Sequence, residues 1–86
     1  MKVVTVNDTA GGITIVTAGP RVRPILVIKN GSTAIFVKFD GDSTALTASN
    51  GFPLAANEVL NLSGLPVTTV VGITASGSSS VAVQGD

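Results

Sequence analysis

The sequence predicts an all-β protein: a small antiparallel β-sandwich, jelly-roll-like, with about eight short strands and no significant helix. Three observations carry that expectation. Val, Ile and Thr make up about a third of the 86 residues, and these β-branched types favour pleated, half-buried surfaces. Turn signals recur every eight to twelve residues, the spacing of a sandwich or barrel. The one stretch with helix formers, Leu54 to Leu60, is short, follows Pro53 and carries Val59 and Leu60, which suit a strand better. A chain of this length is one domain, residues 1–86.

The elements follow in order. Lys2–Val6 is a strand that ends at Asn7-Asp8, and Ile13–Thr17 runs from Gly11-Gly12 to Gly19-Pro20. Arg23–Lys29 ends at Asn30-Gly31, the strongest hairpin signal in the chain, so Thr33–Asp40 is expected to pair back across it. Ala45–Ala48 is a short weak strand, Glu58–Leu62 ends at Ser63-Gly64, Val67–Ala75 ends near Gly77, and Ser80–Gln84 is the last. The polar tract Ser76–Ser80 reads as a loop tip. Alternation puts Ile35, Val37 and Phe39 on one face, and Phe36, Lys38 and Asp40 on the other. Val67, Thr69, Val71 and Ile73 share a face opposite Thr68, Val70, Gly72 and Thr74. Ile25, Leu26, Val27 and Ile28 are apolar at both parities, the mark of a strand covered on both sides. The second cover is either another subunit or a segment of the same chain.

The composition is poor in catalytic groups and rich in apolar ones. There is no His, Cys, Tyr or Trp, while 44% of residues are hydrophobic. Without Cys or His, disulfides, thiolate metal sites and the commonest transition-metal ligand are excluded. A domain this small buries only ~60–65% of its unfolded surface. Association with other copies is therefore the expected stabiliser. Net charge is zero, which removes repulsion between copies and argues against nucleic acid as partner. The start, MKVVTVNDTAGG, lacks the apolar core of a signal peptide, and no apolar run approaches the ~20 residues of a membrane span. The chain reads as soluble, with no membrane partner and no encoded address.

Candidate chemistry is thin. Asp40-Gly41-Asp42-Ser43-Thr44 begins like a calcium loop, but Ala45 and Gly51 stand where Gly and a bidentate Glu are required. A polar turn is the simpler reading. The 18 Ser and Thr residues have no His base, and the carboxylates Asp8, Asp40, Asp42, Glu58 and Asp86 fall at predicted turns or strand edges. The expectation is a protein that is not an enzyme and takes no cofactor or metal. Pro20-Arg21-Val22-Arg23-Pro24 is a stiff extended segment. Its Arg21 and Arg23 either grip an acidic patch of a partner or solvate a strand edge. Asn50-Gly51-Phe52-Pro53-Leu54 places an apolar Phe52 on a stiff loop, either plugging the sandwich end or anchoring on a neighbouring chain. The candidate protein-interface residues are Arg21, Arg23, Ile25, Leu26, Val27, Ile28, Phe36, Phe52 and Leu54.

From Ile28 to Val83 the sequence resembles small virion proteins of tailed bacteriophages, of the head decoration or cement type. The matching positions are Asn30-Gly31, Thr47-Ala48, Asn50-Gly51, Pro53-Leu54, Glu58, Ile73 to Gly77, and Val81 with Val83. Where the pattern commonly has an aromatic followed by Gly, this chain has Phe36-Val37-Lys38-Phe39. The resemblance implies a structural β-sandwich that self-associates, with a trimer favoured. It also implies binding to the major capsid protein on the outer capsid surface of the virion, after synthesis in the host cytoplasm. A head- or tail-fibre or adhesin module that recognises a host surface is the alternative. Missing Trp and Tyr count against a glycan site.

Overall fold

The computed structural model describes residues 2–16, 21–39, 46–67 and 69–85. Ten strands are found there: β1 (Lys2–Asn7), β2 (Ile13–Val16), β3 (Arg21–Val22), β4 (Val27–Lys29), β5 (Ile35–Phe39), β6 (Phe52–Leu54), β7 (Val59–Asn61), β8 (Pro66–Val67), β9 (Val70–Thr74) and β10 (Ser78–Gln84). The first sheet has the order β1-β10-β4-β7, the second β2-β9-β5-β6, and β3 and β8 pair with each other.

One rule generates this topology. The strands nest from the outside in: β1 with β10, β2 with β9, β3 with β8, β4 with β7 and β5 with β6. Partner residues nest in the same way, from Lys2↔Val83 through Ile13↔Gly72, Arg21↔Val67 and Val27↔Asn61 to Ile35↔Leu54. The chain is one long antiparallel ribbon, folded over so that β10 also meets β4 and β9 also meets β5. That is the jelly roll, as the sequence predicts.

The wrapping corrects the hairpin expected at Asn30-Gly31. β4 and β5 lie in different sheets, so these residues carry the chain across the sandwich. Asn30 is buried and holds the corner together. Its Nδ2 donates to the carbonyls of Thr33 (2.9 Å), Leu54 (3.0 Å) and Ala55 (3.0 Å). Its Oδ1 accepts from the Gly31 amide (2.8 Å) and the Ser79 hydroxyl (2.7 Å). Gly31 is required for a second reason: a Cβ there would collide with the Ser80 carbonyl. A dipeptide favoured for tight turns is used here for close backbone approach and buried polar satisfaction.

The remaining boundaries shift for local reasons. The expected strand Arg23–Lys29 shortens to β4, with β3 formed just before it, and Val67–Ala75 is divided between β8 and β9. Between β3–β8 and β4–β7 the ribbon is carried by Gly64 N–H to Arg23 O (2.7 Å), Leu62 N–H to Leu26 O (2.8 Å) and Leu26 N–H to the Ser63 hydroxyl (3.0 Å). Ser78–Ser80 belong to β10, not to a loop tip, because they pair with Val6 and its neighbours in β1. Phe52–Leu54 forms β6, where the sequence suggests a loop. In place of the strand expected at Ala45–Ala48, Leu46 makes an isolated bridge to Gly11 and a turn follows. No described residue is helical.

The core lies between the sheets. Val6, Ile28, Val81 and Val83 come from the first sheet, and Ile15, Val16, Ile35, Val37, Leu54 and Val70 from the second, with Leu26, Leu62 and Val67 from the ribbon that joins them. β2 is irregular between Thr14 and Val16, which lets the consecutive Ile15 and Val16 both be buried.

Candidate interaction surface

The two outer faces of the sandwich differ. The outer face of the second sheet is covered by the chain itself. Leu46 is buried there together with Ile73, and Phe36 and Val71 are half-buried. Glycines allow the close approach: a Cβ at Gly12 would sit 2.7 Å from Val71 Cγ1, and one at Gly51 would sit 2.7 Å from Phe36 Cβ and 2.9 Å from Leu46 Cδ1. β9 is thus the strand covered on both sides, with Val70, Gly72 and Thr74 toward the core, and Val71 and the buried Ile73 on the outer face.

The outer face of the first sheet has no such cover among the described residues. Its registers place Val3, Ala82, Lys29 and Val59 in one row across all four strands. Gln84, Val27 and Asn61 form the next row. Val3 is 63% exposed and Val59 52%. Between them lies a shallow hollow of about 200 Å³, lined by Val27, Lys29, Val59, Ala82, Val83 and Gln84. Valines here face out at positions that alternation would give to polar residues. A second exposed apolar group lies on the connecting ribbon, where Val22 pairs with Pro66 beside Leu65.

The candidate interface residues divide accordingly. Ile25 is 55% exposed and Val27 is half-buried on the open face of the first sheet. Leu26, Ile28 and Leu54 are core residues and cannot be contact residues, because each points between the sheets. Arg23 is not outward either. It is 2% exposed, and its Nη1 donates to the Val67 carbonyl, so it ties β8 to the chain leaving β3. The expectation for the Arg21 side chain, like the Asp40–Thr44 turn and Pro20, lies outside the described residues. Phe36 is half-covered by the segment that carries Leu46. Phe52 is 56% exposed and leans on Phe39, with ring centroids 6.3 Å apart and planes tilted by 59°.

Sequence reasoning missed Val3 and Val59. The signal was present in Lys2–Asn7, where valines occupy both parities of a single strand. Among the described residues no three acidic side chains gather into a metal-sized cluster. The buried Ser79 hydroxyl donates to the Asn30 amide oxygen. Comparison with protein-family models, with curated proteins and with solved structures finds no match to this chain.

Proposed function

We propose that the chain is a structural virion protein of a tailed bacteriophage, a self-associating decoration or cement protein that binds the outside of the capsid shell. The observation that supports this most is the asymmetry of the sandwich. One outer face is closed by the chain's own segment, and the other shows, uncovered among the described residues, the row Val3, Ala82, Lys29 and Val59, apolar at three of its four strands, with Val27 beside it. Such faces mark contacts with protein. The jelly roll recurs in viral capsid and lectin domains, which supports the reading only by analogy of fold. The likeness of residues 28–83 to decoration proteins points the same way.

The mechanism is mechanical. Each copy lays the open face on the shell and bridges neighbouring capsid subunits, opposing their separation. Burial contributes ~25 cal/mol per Å² of apolar area, offset by the cost of association. Many copies on a regular lattice add avidity. The test is co-sedimentation of the purified chain with accessory-free shells of the phage that encodes it. The wild-type chain pellets with shells, while Val27→Lys and Val59→Lys stay in the supernatant. Equal binding by all three sinks the assignment of this face.

A further inference from the structure

We infer that a second copy of this chain pairs with the open edge of β1, antiparallel about a two-fold axis at Thr5, joining two first sheets into one of eight strands. The inference rests on the self-association in the reading above and not on the capsid partner. Of the four edge strands of the two four-stranded sheets, three carry devices that deter strand addition. β6 contains Pro53, β2 has a break in register between Thr14 and Val16, and β7 is only three residues long. β1 is six residues long, regular, and free of Pro and Gly. Its only strand neighbour among the described residues is β10.

A second copy fits this edge by its own sequence. Side chains stay on their proper faces only when residues of equal parity are opposite. Centring the pair on Thr5 meets that condition, with Val4 opposite Val6 and Val3 opposite Asn7. It also sets Lys2 of each copy at the end of β1 that the exposed Asp8 follows in the other, twice over. Valine pairs, a Thr–Thr pair and opposite charges are all favourable cross-strand neighbours. Centring on Val4 would instead set Lys2 against the core residue Val6. A two-fold contact of this kind uses the same patch on both copies and closes at two.

A single cysteine tests it, because the chain has none of its own. Directly opposed residues in an antiparallel pair have Cα atoms ~4.5–5.5 Å apart, within disulfide reach. Thr5→Cys is therefore expected to give nearly complete disulfide-linked dimer under mild oxidation. Ser80→Cys is the control: Ser80 is exposed on the same face, opposite Thr5. Its copies would lie three strand spacings apart, about 14 Å, too far to bridge. Sedimentation of the wild-type chain should show a dimer. Asp8→Lys should weaken it at least ~10-fold by opposing like charges, and adding Lys2→Asp should restore it.

Cross-linking of Thr5→Cys no faster than Ser80→Cys overturns the inference, as does a trimer in sedimentation. A monomeric Thr5→Cys variant that cross-links only to a foreign strand assigns the edge to another protein and overturns it too. A dimer that ignores capsid shells would leave this inference standing and remove the proposed function. Shell binding by a monomer would do the reverse.

Discussion

Asn30→Ala strikes the corner on which the wrapping depends. The wild-type amide has five hydrogen-bond partners, three of them sharing its two N–H groups, and two of the five, the Leu54 carbonyl and the Ser79 hydroxyl, are met in fully buried contacts. Truncation leaves the Ser79 hydroxyl without its acceptor in a place water reaches poorly, and takes one of two donors from the Leu54 carbonyl, which also faces Ile35 in the β5–β6 ladder. The orphaned hydroxyl costs ~1–3 kcal/mol and the lost bond ~0.5–1.5 kcal/mol. The remaining three contacts are partly buried, and solvent can take them over. The expected loss is therefore about 2–4 kcal/mol. An 86-residue domain has a total stability of only about 4–13 kcal/mol, so the variant is marginal. At ~4–8 °C per kcal/mol for a domain of this size, Tm falls by roughly 8–32 °C. Urea unfolding followed by far-ultraviolet circular dichroism measures the change, with an unaltered m-value confirming that stability moved and not the extent of unfolding. A loss below ~1 kcal/mol would refute the reasoning, because the corner would then be held by backbone geometry and not by the amide.

Three further outcomes use the same assay. Gly31→Ala pushes a methyl group into the Ser80 carbonyl and should cost ~1–3 kcal/mol, as overpacking does; no change would mean that the corner has room to yield. Leu46→Ala removes a buried side chain from the outer face of the second sheet, beside Val71 and Phe36, so a loss of about 2–3 kcal/mol is expected, with new binding of a hydrophobic dye as a second readout. Val59→Lys, at a half-exposed site, should leave stability within ~0.5 kcal/mol of wild type while abolishing shell binding; a strongly destabilised variant would show that Val59 serves the fold.

The all-β class and the two-layer architecture are legible in the sequence because they follow from β-branched content and turn spacing, which are local properties. The nesting of pairs is not. Asn30-Gly31 satisfies the local rule for a hairpin, and only the distant Ser79, Ser80 and Leu54 reveal it as a corner. Parity in Thr33–Asp40 gives the right faces, since Ile35 and Val37 are in the core and Phe36 is not. Parity in Val67–Ala75 misleads: the face of Val70, Gly72 and Thr74 looks less apolar, yet it is the one toward the core. The glycine is there because a Cβ would lie 2.8 Å from Ile15 Cδ1. Of the candidate surface, Ile25 and Val27 do reach solvent. Leu26, Ile28 and Leu54 do not, because size and apolarity alone cannot separate a core residue from a contact residue. Charge alone points Arg23 outward, and nothing in the sequence shows that its guanidinium finds the Val67 carbonyl.

Electron cryo-microscopy of capsid shells assembled with and without the chain bears most directly on the proposal that this sandwich is a capsid-binding structural protein. Added density should lie outside the shell, with the face carrying Val3, Val27, Val59 and Ala82 turned toward the capsid. Density confined to the tail, or a shell-bound sandwich with that face turned to solvent, would contradict it.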